Sequence, residues 1–570
     1  MRRIYITIAA LAFSAGMLAQ TQDSLLRRQM ELERDFNPTL MDANKITSLP
    51  TLREPTVQKA NTNYSTWAGR ATPPLEIALP RPGDIMTSIP FSTHKGYLTL
   101  HAGNYANFDG ALGYRILDEK KHQLGFTFLH NSTNGDINYV QEDANPAGNK
   151  ARVMNNNGRL AYRHTADAFA LDMHLAYLHS LFNYYGNGFG EERYYNDENQ
   201  RLGVTNVHVA LQSTPSDALN FNGFLDFKNF SSKYGETLSM EGIKGNQIHA
   251  LAGFAKPFQE GNSRIGVDGS ILTTLYPGDL DNYFHVNAAP FILFSGLNWS
   301  ARLGVDAVFQ SIDGTRIRVV PNADVRWGIT DHSSLYSKVH GGYNPNTFLD
   351  MMEESRYVLP FINVRPSFTH VDLEAGVKIG EVSGFRFDFF GGFRKTDHEH
   401  FLLLNGHDAI NGEEPGPFIE ALKPVYGHLS HSFVGGMLQT NVWAPLDVSL
   451  RLKKNFYDVT NLSINETDIA DTKAYNKPGM EVDLRAALEM IENLKLTLGY
   501  YYAGDRWTNF NGTDIEMDAI NDLNAGAIYT INDTFSLNVK VNNLLAQRYD
   551  IWYGYPAQGI NASGGFTFTF

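Results

Sequence analysis

Two stretches near the chain end decide the fold: Phe535-Ser536-Leu537-Asn538-Val539-Lys540-Val541-Asn542-Asn543-Leu544-Leu545, and the terminal Gly565-Phe566-Thr567-Phe568-Thr569-Phe570. In the first, Leu537, Val539 and Val541 share one face of a strand, and Asn538, Lys540 and Asn542 the other. In the second, Phe566, Phe568 and Phe570 oppose Thr567 and Thr569. A soluble protein has little use for a last strand with a bare aromatic face. A strand that closes a barrel in lipid needs that pattern, with apolar side chains toward acyl chains and polar ones toward a wet lumen.

The same alternation recurs upstream. Leu171, Met173, Leu175 and Tyr177 oppose Asp172, His174 and Ala176; Phe385, Phe387 and Phe389 oppose Arg386 and Asp388. Between such runs lie short polar turns: Asp118–Lys121, Thr165–Asp167, Pro215–Asp217, Gln259–Asn262, Ser295–Asn298, Thr330–His332, Gly380-Glu381, Pro445–Asp447, Glu492-Asn493 and Asn532-Asp533. Ten turns join twenty strands. A first strand near Gly96–Tyr105 and a last at Asn561–Phe570 bring the expectation to an all-β, transmembrane antiparallel β-barrel of about 22 strands. The stretch Pro424–Ala444 reads as one long strand, although Gly427–Ser432 offers a break. An even strand number puts both barrel ends in the periplasm and the long connections outside the cell. Those connections are expected at 133–151, 183–202, 230–245, 343–364, 396–423, 457–475, 504–517 and 546–560.

Composition fits this reading. Mean hydropathy is -0.29 and net charge -14, as expected where every second residue of a strand meets water. The acidic balance argues against a nucleic-acid partner. With no cysteine, disulfides, thiol catalysis and cysteine metal sites are excluded. G-x-S-x-G, H-E-x-x-H and P-loop motifs are absent, so neither an enzyme nor a cofactor is expected.

The opening Met1-Arg2-Arg3, with the apolar run Ile4–Ala19, reads as a signal peptide over residues 1–20. Residues 21–93 are charged at first and then rich in proline, a periplasmic or lumenal arm with no long helix or central strand. The barrel takes 94–570.

The run Val541-Asn542-Asn543-Leu544-Leu545-Ala546-Gln547-Arg548-Tyr549, then Tyr555-Pro556-Ala557-Gln558-Gly559, then the F-x-F finish, resembles the C-terminal end of TonB-dependent outer-membrane receptors. Glu31–Ile46, with Pro50, resembles the start of short receptor-like barrels from Bacteroidota. The resemblance implies an outer-membrane location, contact with lipid, insertion by the barrel-assembly machinery, and transport of a ligand. Full receptors carry a plug of well over a hundred residues where this chain has its shorter arm. The alternative is therefore a plugless barrel acting as a scaffold subunit of an outer-membrane assembly or secretion complex.

Candidate sites follow from residue type. Tyr184, Tyr185, Glu191, Arg193, Tyr194 and Tyr195 bring aromatic platforms and charges together in one outer loop, either to grip a ligand or as interfacial residues. In Asp397-His398-Glu399-His400, His398 and His400 share one side of an extended segment and are metal candidates; a polar loop base is the alternative. Phe566, Phe568 and Phe570 form the insertion signal. Glu31, Glu33 and Arg34 could recruit a periplasmic or surface protein as an added strand.

Overall fold

The computed structural model describes residues 94–570, except 142–149, 187–197, 215–218, 236–239, 259–262, 279, 312–315, 361–363, 383, 405–420, 444 and 465–466. The signal peptide and the arm, with Glu31, Glu33 and Arg34, lie outside the described residues.

Each strand pairs antiparallel with its neighbours from Gly96 onward, and the sheet closes on itself. The first strand, Gly96–Gly103, pairs with Phe108–Asp118 on one side and with the last, Asn561–Thr569, on the other; Leu98 faces Phe568 and Leu100 faces Phe566 across the seam. Of the 23 strands in the sheet, Thr467–Thr472 pairs only with the upper part of Leu446–Ile464, which leaves 22 in the wall. The C-terminal pattern sorts as expected. Leu537, Val539 and Phe568 are exposed on the outer surface, while Asn538 and Thr567 are buried and joined by a 2.9 Å hydrogen bond.

The lumen wall is polar and internally paired. The buried Arg302 guanidinium meets Asp268 at 2.7 Å and lies 3.6 Å over the Phe291 ring. A transverse chain crosses four strands: Arg159 to His174 (3.1 Å), His174 to Asn206 (2.8 Å), and the Asn206 amide to Asp226 (2.7 Å), which also meets His208 (3.2 Å). At the periplasmic end of the outer surface, Trp299 and Trp327 face each other on adjacent strands and Trp443 is exposed nearby in height, the interfacial girdle of a membrane barrel.

The short connections lie where turn chemistry placed them, with two shifts. The strand Ser367–Val382 runs through Gly380-Glu381, and the left-handed residue that makes the turn is Gly384 (φ 81°). The strand that follows Leu422–Thr440 starts at Leu446, so of Pro445-Leu446-Asp447 only Pro445 lies in the turn. Pro215–Asp217 and Gln259–Asn262 are outside the described residues, between strands ending at Ser213 and Pro257 and strands starting at Asn220 and Arg264.

The larger departure is height. The segments expected as loops at 396–423 and 457–475 are partly strand. Phe385–Leu404, Leu422–Thr440 and Leu446–Ile464 have 20, 19 and 19 residues, against 8 for Gly96–Gly103 and 8 for Phe535–Asn542. Only about 9–11 residues are needed to cross the hydrocarbon. These tall strands continue upward through β-bulges at Thr396/Glu399 and Tyr426/His428, so Gly427 bends its strand without ending it.

Candidate functional site

The extracellular connections converge on one buried core over the mouth. Its organiser is the only helix among the described residues, α1 (Phe348–Glu354), in the connection between Ser333–Asn344 and Ser367–Val382. Thr347 caps it. Its hydroxyl accepts from the Asp350 N–H, and the Asp350 carboxylate accepts from the Thr347 N–H. The helix buries Phe348, Leu349, Met351 and Met352.

α1 docks at both its first and its last turn on the strands Asn220–Ser232 and Lys244–Pro257. The Gln247 amide donates to Thr347 Oγ1 (3.2 Å), Phe348 stacks on Phe230 (5.8 Å), and Lys228 meets Glu353 (3.7 Å). Its last residue also reaches Phe385–Leu404, eight strands round from Asn220–Ser232, where Glu354 accepts from His400 at 2.6 Å with both side chains buried. The helix therefore ties two separated stretches of the wall together.

The segment after α1 extends the closure. Tyr357 stacks on Tyr555 with centroids 4.2 Å apart, and Tyr185 sits edge-on to both, at 5.4 and 5.1 Å. Leu359 N–H donates to the Leu422 carbonyl and Leu422 N–H to that of Tyr357, both at 2.8 Å. Arg356 donates to Asn155 at 3.4 Å. The last connection is anchored beside them: Arg506 donates to the carbonyls of Asp550 (2.8 Å) and Ile551 (2.6 Å), and Gln141 donates to Asp550. Burial pushes the Asp550 carboxyl up to about 6. The result is a cap, a packed aromatic layer held by hydrogen bonds from most of the circumference.

Tyr184 and Tyr185 belong to this cap. Both are buried, and their hydroxyls donate to the carbonyls of Val358 (3.5 Å) and Pro556 (3.2 Å), so they bind the protein's own chain. Glu191, Arg193, Tyr194 and Tyr195 are outside the described residues. His398 and His400 do not act together. The bulge at Thr396/Glu399, with His398 at φ 53°, breaks the alternation that would align them. His400 turns in to Glu354, whereas the His398 ring lies 5.8 Å from that of His428. Among the described residues no group of three His, Asp or Glu side chains is arranged to hold a metal.

Glu399 turns inward beside His400 and pairs with Lys477 at 2.9 Å, both buried. These pairs stand 14 and 15 residues above the periplasmic end of their strand at Phe385, clear of the hydrocarbon. Burial alone would depress His400, but Glu354 holds it above the ordinary imidazole value. Burial would raise Glu399, but Lys477 and His400 hold it below the usual carboxylate range.

Sequence reasoning missed α1 and Tyr357. A signal for the helix was present: Thr347-x-x-Asp350 followed by apolar residues at 348, 349, 351 and 352 is a capped amphipathic turn.

No protein-family model matches the chain, and no curated protein sequence matches it. Solved structures do match, over most of its length. The siderophore receptor PirA from Acinetobacter baumannii aligns at 12% identity over 84% of this chain and 81% of that one, with a TM-score of 0.61. The FrpB iron transporter from Neisseria meningitidis (F3-3 variant) aligns at 10% identity over 84% and 81%, with a TM-score of 0.63. The Pseudomonas aeruginosa FpvA–pyoverdine–iron complex aligns at 13% identity over 84% and 72%, with a TM-score of 0.60. This chain has the receptor barrel fold. Its closed wall, apolar outside and polar inside, places it in the bacterial outer membrane.

Proposed function

We propose that the protein is a receptor-like barrel that takes up a ligand across the outer membrane, and that the cap is its extracellular gate. The observation carrying this reading is closure of a 22-strand barrel by its own outer connections, with Tyr185, Tyr357 and Tyr555 meeting over the mouth. A barrel of this size encloses an aqueous channel unless something fills it. A wide open hole would defeat the membrane, so a gated mouth suits a transporter. The fold-level likeness to siderophore and iron receptors supports transport and leaves the ligand open. The arm, residues 21–93, is the second obstruction in this reading, below the cap.

Single-channel recording in planar bilayers tests it. The intact protein should hold a low conductance. Deleting residues 21–93 together with Tyr357→Ala should open a large pore, and either change alone a smaller or intermittent one. Unchanged conductance in the doubly altered protein would refute the gate. A partner that copurifies in equal amount from the native membrane, with no such pore, would favour the scaffold alternative.

A further inference from the structure

The wall changes height beside one strand. Leu446–Ile464 pairs on one side with Leu422–Thr440. On its other side it has two partners in turn: Met480–Ile491 as far up as Lys454/Met480, then Thr467–Thr472 between Val459 and Ile464. Val459 and Ile464 stand 13 and 18 residues above the periplasmic end at Leu446, and about 9–11 tilted residues cross the hydrocarbon. Thr467–Thr472 therefore lies outside the membrane. It is the last strand of an extracellular sheet that continues Phe385–Leu404, Leu422–Thr440 and Leu446–Ile464.

The far edge of that strand is open. Only two residues separate Ile464 from its partner Thr467, so this pair closes a hairpin with mutual hydrogen bonds. Alternation then turns the N–H and C=O of Thr467, Ile469 and Asp471 toward Leu446–Ile464, and those of Asp468, Ala470 and Thr472 away from it. Among the described residues no strand pairs with that side and no backbone hydrogen bond reaches it. Beyond it the wall falls to the level of Met480, and the connecting Ala474, Tyr475 and Asn476 are buried. The edge is also fixed in place. Val459 and Leu462 on the paired strand are fully buried, the Thr472 hydroxyl meets that of Tyr475 at 2.6 Å, and Tyr475 donates to Asp514 at 2.6 Å. A preformed edge needs no ordering of its own when a further strand is added.

Charge specifies the occupant. Exposed edges are commonly blunted by Pro or Lys, and Thr467–Thr472 has neither. From Asp458 to Thr472 the chain carries Asp458, Glu466, Asp468 and Asp471 and no Lys or Arg. The lysines nearby are engaged: Lys454 with Asp505, Lys477 with Glu399, and Lys473 over the Trp507 ring at 5.0 Å. Two copies of this edge paired with each other would set acidic positions against acidic positions, which is unfavourable. A strand carrying Lys or Arg has the opposite balance.

We propose that Thr467–Thr472 is a docking edge for a basic, extended segment of a second protein at the cell surface, added as the next strand of the extracellular sheet. Its backbone pairs with the N–H and C=O groups of Asp468, Ala470 and Thr472, and its cationic side chains complement the acidic hairpin. Docking here is independent of whether the cap gates the barrel.

The experiment uses the full chain in detergent and fluorescence anisotropy. Its probe is a labelled ten-residue peptide of alternating Lys and Val. Parallel arms carry Glu in place of Lys, or the Lys/Val sequence with every backbone nitrogen methylated. The Lys/Val peptide should bind saturably, weaken as salt is raised, and bind at least tenfold more tightly than either control. Ala470→Pro removes an N–H from the open side and leaves the bonds to Leu446–Ile464 in place; it should weaken binding at least tenfold, while Ala470→Ser leaves it unchanged. Absence of saturable binding, equal binding of the methylated peptide, or an unchanged affinity in Ala470→Pro overturns the proposal. A concentration-dependent dimer in native mass spectrometry that Ala470→Pro abolishes overturns it in favour of a second copy of this chain. Should Ala470→Pro fail to fold, as judged by heat-modifiable gel mobility, Asp468→Lys/Asp471→Lys takes its place. Preference should then pass to the Glu/Val peptide, and an unchanged preference counts against the proposal.

Discussion

Removing the Tyr357 ring should open the cap. Tyr357 is buried, stacked on Tyr555 at 4.2 Å and met edge-on by Tyr185 at 5.4 Å. Truncating a buried aromatic to alanine costs about 3–5 kcal/mol, and each 1.4 kcal/mol is tenfold, so the open population should rise roughly 100- to 3,000-fold unless it saturates. Opening of this kind is a local unfolding that leaves the wall intact. The natural absence of cysteine makes it measurable. Ser180 is buried on the inner face, donating to the Asn155 oxygen that Arg356 also reaches, so it lies directly beneath the closure. In a Ser180→Cys background, modification by a membrane-impermeant maleimide added outside should be slow and should accelerate by that factor with Tyr357→Ala. Tyr357→Phe keeps the stack and should change the rate by less than about tenfold. A cysteine at the exposed Glu241, in an outer connection, serves as the unprotected reference. A Tyr357→Ala rate within threefold of the parent would refute a cap held shut by these rings.

The same reporter reads the buried ion pairs. The His400–Glu354 contribution is full below the ordinary imidazole pKa of 6.5 and is lost as pH rises through the raised value; that of Glu399–Lys477 is full above 4.5 and is lost as pH falls through the depressed value. The joint contribution of these two pairs should therefore be greatest between pH 4.5 and 6.5, and Glu354→Gln should remove the loss of protection above pH 6.5, beyond the Asp550 titration near 6; a loss above 6.5 that survives in that variant would contradict the pairing. Arg302→Ala leaves the Asp268 carboxylate uncompensated in the wall and should cost about 3–5 kcal/mol in denaturant unfolding followed by tryptophan fluorescence, whereas Arg302→Met/Asp268→Leu should recover most of it. Phe570 closes the seam through paired backbone hydrogen bonds with Gly96 and a stack on Tyr114 at 6.1 Å. Deleting it should lower the yield of heat-modifiable folded barrel while leaving total synthesis unchanged.

The wall was legible because its signals are local. A strand with lipid on one side and water on the other must alternate, as Leu537/Asn538/Val539 do, and each turn needs Asx, Gly or Pro within a few residues. The two displaced turns show the limit. Gly380 and Pro445 have turn chemistry, but pairing continued through or began beside them, and Gly384 took the left-handed position. The tall flank was hidden for a similar reason: a bulge such as that at Gly427 keeps pairing where the pattern of side chains changes phase. The cap was illegible in outline because its contacts are non-local. Tyr185 bonds to a carbonyl 371 residues away, and nothing in Tyr184-Tyr185 distinguishes a ring that faces a ligand from one that faces Tyr555.

The short strands at the seam have a mechanical consequence. At about 3.3 Å per residue and a tilt near 40°, eight residues rise only about 20 Å, less than the roughly 25 Å apolar band of such barrels. Exposed Leu544, Leu545 and Ile560, just beyond the strand ends, complete the greasy band there, so the outer monolayer rests on loop instead of ladder. Membrane thickness should therefore be felt first at the junction of the two chain ends: a thicker bilayer must pucker inward to meet it, while the tall strands Phe385–Leu404, Leu422–Thr440 and Leu446–Ile464 stand well clear of the surface like a parapet.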